Sequence, residues 1–237
     1  MNLFEDLLLW DKQTLLNINS VHNPWMDRFM WLVSETMVWL PLALVFIFIL
    51  FRNKGNKAFL VLLAIGLVFL LADQITASII KPLVARPRPT RDPEIGAWVN
   101  LVNGYRGGMY GFVSSHAANV FSFAIFTTLL LRNGGYTVMI LLWAALVSYS
   151  RMYLGVHYPL DVLGGAMVGG VIAYTVYYFY RTYFDVPTGN RSRSKRARSN
   201  HNMTDSNFAK GDVYVLILSM MFLLITLLIA AHLLAWS

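Results

Sequence analysis

Three short stretches in this apolar chain hold side chains able to do chemistry together. In SRMYLGVHYPLD (150–161), His157 and Asp161 stand four apart across Pro159. Proline is favoured in the first turn of a helix. If that turn is helical, Asp161 accepts a bond from one imidazole nitrogen. The other nitrogen is then an oriented lone pair, as in a nucleophile or base. Arg151, six residues before His157, reaches the same space. In YGFVSSHAANVF (110–121), Ser114 and Ser115 stand where a helix begins, so their N–H groups belong to the unpaired donors that make helix N-termini anion sites. His116 follows in that first turn. In KPLVARPRP (81–89), Lys81 and Arg88 lie seven apart on a backbone stiffened by Pro82, Pro87 and Pro89. Two cations on a stiff turn suit a phosphate, and a guanidinium can bind two of its oxygens at once.

Each stretch alone has a plainer reading: snorkelling cations, a capping serine beside a bystander histidine, or a satisfied interfacial histidine. Yet all three fall at the ends of adjacent apolar segments on one side. Together they supply cations, serine and amide donors, and two histidines, one with a carboxylate partner. That inventory fits phosphoryl transfer by covalent catalysis, in which positioning and charge stabilisation supply most of the rate.

The elements that position these residues are apolar. The chain has 237 residues, 57% hydrophobic and 13% charged, with mean hydropathy +0.54. Soluble domains carry roughly a quarter charged residues, so this is a polytopic membrane protein. A span needs about 20 mostly apolar residues. Six segments qualify: 26–51, bent near Pro41, then 58–80, 115–131, 136–150, 159–180 and 213–236. Ahead of them, Phe4, Leu7, Leu8, Leu15 and Ile18 fall near one face of a helix lying in the interface, or packing on the bundle. The expected fold is all-α: a polytopic membrane helix bundle with about six transmembrane helices and an N-terminal interfacial helix. Its parts are the interfacial helix (1–25), a transmembrane core (26–180), a basic loop expected to be disordered (181–212) and an extra C-terminal span (213–237). GGAMVGG (164–170) reads as a helix-packing face of small residues.

Glu5 and Asp6 stand where a secretory signal needs positive charge. With no cysteine, thiolate nucleophiles and thiolate metal sites are excluded, and the five histidines show no paired metal-ligand spacing. The net charge of +7 fits basic loops of a membrane protein, and no nucleic-acid module is present. One side collects eleven Lys and Arg, including the run RSRSKRAR (191–198), and the other eight. The eleven are placed in the cytoplasm, so both termini and the loops 81–113 and 151–158 face outward.

Read in order, K-x6-RP (Lys81, Arg88, Pro89), S-x-H (Ser114, His116) and SR-x5-H-x3-D (Ser150, Arg151, His157, Asp161) resemble the three signatures of the type 2 phosphatidic acid phosphatase superfamily. The second signature is usually Pro-Ser-Gly-His. Here it reads Val113-Ser114-Ser115-His116, which implies an altered loop shape rather than lost chemistry. The resemblance implies that His157 attacks phosphorus and becomes a phosphohistidine, with Asp161 orienting it. It further implies that His116 protonates the leaving oxygen and then activates water. Lys81, Arg88, Arg151, Ser114 and the Ser115 amide would bind the phosphate, with no metal or other cofactor. The implied partner is a membrane lipid phosphate in the bilayer, of the undecaprenyl diphosphate, lipid A or phosphatidylglycerophosphate type. The implied location is the bacterial cytoplasmic membrane, with the site facing outward. VNGYRGGMYGF (102–112) is expected to shape the substrate entrance. A phosphotransferase with an alcohol acceptor, and a transporter using the charges as an anion pathway, are the alternatives.

Overall fold

The structure, a computed structural model, describes residues 3–184 and 208–235; most of the basic loop expected to be disordered lies outside the described residues. The described residues form helices α1 (Leu3–Asn19), α2 (Pro24–Ser34), α3 (Leu40–Lys54), α4 (Ala58–Asp73), α5 (Lys81–Val84), α6 (Ser115–Leu131), α7 (Gly134–Tyr153), α8 (Pro159–Tyr183) and α9 (Lys210–Ala235). Among the described residues, three helical stretches are long and apolar enough to cross a membrane: Thr36–Val84, which contains both α3 and α4, Pro159–Tyr183 and Lys210–Ala235. Ser115–Leu131 is apolar but shorter.

Several boundaries follow from local chemistry. Asn23 caps α2, its side-chain oxygen accepting the Met26 N–H at 2.8 Å, with Pro24 in the first position. The helix expected over 26–51 is two helices, and the break lies at Glu35 rather than Pro41. Glu35 is extended, and a 3₁₀ turn over Thr36–Trp39 leads into α3. Pro41 has no N–H and its ring crowds the carbonyl four residues back, so a new helix starts with Pro41 in its first turn. The Trp39 indole ties the break by donating to the Val33 carbonyl at 3.0 Å. A second proline acts at the end of α4. Pro82 offers no N–H to the Ser78 carbonyl, and the helix widens into a π-helical stretch over Gln74–Ile80 before α5.

The packing face read from GGAMVGG is present. A Cβ on Gly169 would lie 2.2 Å from the Ala118 carbonyl oxygen, and one on Gly165 would lie 2.3 Å from that of Ser114. Thus α6 and α8 meet backbone to backbone, and the start of α6 is pressed against the start of α8. At the far end, Asn53 fixes the start of α9: its Nδ2 donates to Asp212 Oδ2 and its Oδ1 accepts from Ala209 N, both at 2.8 Å.

Helix α1 turns polar groups as well as Leu15 against the bundle: Asp11, Leu15 and Asn19 are buried, while Phe4 and Leu7 lie on the protein surface. The polar groups are paired. Asn19 Nδ2 donates to the Tyr153 carbonyl at 2.7 Å, and its Oδ1 accepts from Asn100 N at 2.8 Å. Apolar periodicity cannot register such contacts.

Because Gly165 and Gly169 leave no room for a side chain, Gly169→Val should lower the unfolding midpoint of the detergent-solubilised protein. Overpacking typically costs about 1–3 kcal/mol. Gly170→Val, at a position where a Cβ meets only the flexible Ile125 tip at 3.2 Å, should be milder. Equal midpoints for the two variants would contradict this account of the helix pair.

Candidate active site

The chain turns after α5 at Ala85, which takes a left-handed φ of 50°. It then runs back beside Met109–Gly111, with Arg88 N donating to Met109 O at 3.1 Å and Gly111 N to Arg86 O at 2.9 Å. This clip fixes Arg88 among acceptors. Its Nε donates to the Tyr110 carbonyl at 3.1 Å, and its Nη1 donates to the Val156 carbonyl at 3.2 Å. The same Nη1 lies 3.2 Å from His157 Nε2. Gly107, at φ +66°, lets the loop close on Arg88, since a Cβ there would sit 2.8 Å from Nη1.

His157 is 1% exposed, in the short turn between α7 and α8. A guanidinium has only donors, so the nitrogen facing it, Nε2, carries the lone pair and Nδ1 the proton. Nδ1 lies 3.4 Å from Asp161 Oδ2, long for a hydrogen bond, and the Gly111 backbone is a further partner of the ring. Burial, reinforced by Arg88, Arg151 and Lys81, holds the imidazole well below its ordinary pKa of 6.5, and so neutral.

Asp161 has no exposure, and four groups converge on it. Oδ2 accepts from Tyr158 N at 3.0 Å and faces His157; Oδ1 accepts from Arg86 Nη1 at 3.2 Å; the backbone carbonyl accepts from Ser114 N at 2.8 Å. Gly111 permits this crowding, because a Cβ there would lie 2.8 Å from Oδ2.

The remaining predicted residues gather at the same end of the bundle. Lys81 Nζ donates to Ser115 Oγ at 2.6 Å, and that hydroxyl is 2.8 Å from Thr76 Oγ1. The serine that replaces the usual glycine of the second signature is therefore the partner of Lys81. Ser114 is the N-cap of α6, its Oγ accepting from Ala117 N at 3.3 Å, while its own N–H goes to the Asp161 carbonyl. Arg151 Nη1 donates to Ser34 Oγ, and Nη2 lies 3.4 Å from the Tyr105 hydroxyl. Its Nε is buried with no partner among the described residues. His116 shares a pocket of about 130 Å³ with Arg151, Ser34, Thr36 and Tyr105. Arg151, His157, Arg88 and Lys81 all interact electrostatically with it.

The sequence reading missed Arg86, Asp11, Ser34 and Thr76, and reached Tyr105 only as part of the stretch 102–112 expected to shape the substrate entrance. Arg86 looked like one more loop cation. Asp11 carried a faint signal, an acidic residue four positions before a core leucine on an amphipathic helix.

The family profile described as the PAP2 superfamily matches residues 59–185, from α4 to just past α8. The chain belongs to the PAP2 superfamily. The matched PAP2 region contains every predicted site residue and excludes α1, α2, α3 and α9. Among curated relatives, the lipid A 4'-phosphatase of Porphyromonas gingivalis is 40% identical over 177 residues, 74% of this chain and 75% of that protein. The lipid A 4'-phosphatase of Bacteroides thetaiotaomicron is 42% identical over 171 residues, 71% and 76% respectively. An undecaprenyl-diphosphatase of Sulfolobus acidocaldarius is 42% identical over 66 residues, 27% of this chain and 31% of that one. Two crystal structures share the fold. They are a PAP2-type phosphatidylglycerolphosphate phosphatase from Bacillus subtilis (22% identity, TM-score 0.57, 77% of this chain and 90% of that one) and Aquifex aeolicus LpxE (28%, 0.51, 69% and 92%). This PAP2 protein is a membrane lipid phosphatase, which sets the transporter alternative aside.

The depressed pKa of His157 has a consequence for stability. Below about pH 6.5 the unfolded chain takes up a proton at this residue while the folded site does not. Stability contributed here is therefore present above that pH and is lost as pH falls, at up to about 1.4 kcal/mol per pH unit until the folded site also protonates. The unfolding midpoint of the solubilised protein should drop between about pH 7.5 and pH 5.5, and should drop less in His157→Gln. Parallel pH profiles for the two proteins would show that His157 is not held neutral.

Proposed function

We propose that the protein hydrolyses the phosphate monoester of a lipid A-type glycolipid through a phosphohistidine on His157, at the outward face of the bacterial cytoplasmic membrane. The observation that carries the reading is where two cavities meet. A groove of about 770 Å³, walled mainly by apolar side chains including Phe46, Phe123, Trp143, Leu216 and Met220, reaches Ser34, Thr36 and His116. Those same three residues line the small pocket holding Arg151. A lipid lying in the groove would place its ester oxygen at His116 and its phosphate among Arg151, Arg88 and Lys81. The length of the match to the two lipid A 4'-phosphatases supports the glycolipid over a polyprenyl diphosphate, whose phosphatases match over a much shorter stretch. The Lys/Arg asymmetry supports the orientation.

In the mechanism, the arriving phosphate takes over the Arg88 donor that rests on His157 Nε2. It also satisfies the unpartnered Arg151 Nε, and it draws Lys81 from Ser115. The freed Nε2 attacks in line, so a P–N bond forms as the P–O bond to the lipid breaks, and His116 delivers a proton to the departing oxygen. Water then gives a proton to His116 and attacks phosphorus, which breaks the P–N bond and releases phosphate. Charge on the equatorial oxygens is met by the three cations, as a metal would meet it elsewhere.

Phosphate release should be measured from lipid A, phosphatidate and undecaprenyl diphosphate with the reconstituted protein. The highest kcat/KM is expected for lipid A, with activity surviving excess EDTA and inhibited by vanadate. His157→Ala should abolish turnover together with acid-labile, base-stable labelling; activity above a few per cent of wild type would sink the nucleophile assignment. His116→Ala should lower kcat about 10² to 10⁴-fold on lipid monoesters but far less in phosphohistidine formation from an aryl phosphate, whose leaving group needs no proton. Equal losses on both would make His116 a binding residue instead.

A further inference from the structure

We infer that Asp11 of the N-terminal helix and Arg86 are positioning residues for the nucleophile, acting on His157 through Asp161. The inference rests on the reading of His157 as the attacking group. Arg86 is not part of any signature, yet its guanidinium bridges two fully buried carboxylates. Nη2 donates to Asp11 Oδ2 at 2.7 Å and Nη1 to Asp161 Oδ1 at 3.2 Å. The plane of the bridge is fixed by the Tyr158 ring, 3.9 Å from the guanidinium carbon. Tyr158 is fixed in turn, its hydroxyl donating to Asp92 at 2.7 Å. Asp11 also serves α8 directly. Its Oδ1 accepts the Leu160 N–H at 2.8 Å, one of the donors a helix start leaves unpaired. A carboxylate on one helix thus caps another, at the residue next to the one that orients His157.

The bridge has a specific electrostatic effect. Asp161 can hold the Nδ1 proton of His157 only while its own charge is neither unpaired nor fully taken by a cation. Arg86 supplies the pairing that a buried carboxylate requires. Asp11 takes the shorter bond and holds Arg86 away from a close two-pronged pairing with Asp161. Burial raises the Asp11 carboxyl above the usual range, and the Leu160 N–H and Arg86 oppose that rise. Neither Asp11 nor Arg86 lines the pocket that holds His116 and Arg151, and the side-chain bond that links them to the His157 partner is the one from Arg86 to Asp161.

The test uses the full chain reconstituted in lipid, with Asp11→Asn, Asp161→Asn and the double variant. The amide introduced by Asp11→Asn keeps an oxygen for the Leu160 N–H and nearly the same volume, so α8 stays capped while the charge is lost. Phosphate release from lipid A should show kcat for Asp11→Asn lower by about 10- to 100-fold, the range typical when the partner orienting an imidazole is lost, with KM within about twofold. In the Asp161→Asn background the same change should add less than about twofold, because its route to His157 is already cut. Equal losses in both backgrounds, a change confined to KM, or a loss explained by less folded protein would each overturn the inference. A wild-type protein that releases no phosphate from any lipid would defeat the proposed function separately. Imidazole ¹⁵N spectra, with His157 assigned by His157→Gln, then decide the inference alone. A wild-type Nδ1–H form that gives way to a tautomer mixture in Asp11→Asn supports it, and an unchanged spectrum overturns it.

Discussion

A carboxylate with no access to water has to be surrounded by donors, and Asp161 sets that requirement for this protein. Its donors come from every part of the site. Arg86 arrives from the turn after α5, Tyr158 N from the start of α8 and His157 from the turn after α7, while Ser114 N reaches the Asp161 carbonyl from the loop before α6. The glycines follow from the same demand. Gly111 is the residue whose backbone can pass Asp161 Oδ2, and Gly165 lets α8 approach the Ser114 carbonyl. The stretches 81–89 and 150–161 meet at this single buried charge, and the stretch 110–121 is tied to the same residue through its backbone carbonyl.

The site's cations divide into two kinds according to their partners. Arg86 is paired with carboxylates on both sides, so its charge is spent within the protein. Lys81, Arg88 and Arg151 rest on hydroxyls, carbonyls and an imidazole, and none of the three forms a carboxylate ion pair among the described residues. Neutral acceptors hold a cation in place without cancelling its field. A phosphate dianion bound as proposed would meet three oriented cations free of direct carboxylate pairing and exchange weak partners for strong ones. The contact between Arg88 and His157 Nε2 belongs to the same logic: it favours the neutral imidazole and covers its lone pair, as the proposed nucleophile would need before an anion arrives.

How much of this was legible in the sequence depended on how far each interaction reached. The Asp161–His157 pair is four residues long, and the three signatures lie at helix ends that hydropathy locates, so the eight predicted residues could be placed at one end of a helical bundle from the chain alone. Family resemblance supplied their roles. The Asp11–Arg86 bridge spans 75 residues and has no local pattern. The break at Glu35 was hidden because the eye goes to Pro41, whereas proline acts on the carbonyl four residues earlier and the helix has to end before it. Ser115 as the partner of Lys81 depended on the π-helical stretch that aims Thr76 and Lys81 inward, a distortion no apolar count reports.

The boundaries of the PAP2 match divide the molecule by physical task. Residues 59–185 hold every group that the proposed function sets around the phosphate. The parts outside that region do two other things. Helix α1 adds a fixed charge behind Asp161, and α3 and α9 wall the groove that ends at His116, with Phe46 from one and Leu216 and Met220 from the other. Phosphate chemistry needs charges fixed to within about 0.5 Å, which favours rigid backbone contacts such as Gly165 against Ser114. Recognition of a lipid body needs only apolar walls of suitable shape, which many sequences can supply. The flanking helices are therefore under a looser geometric constraint than the phosphate site, so long as they leave Asp161 its donors.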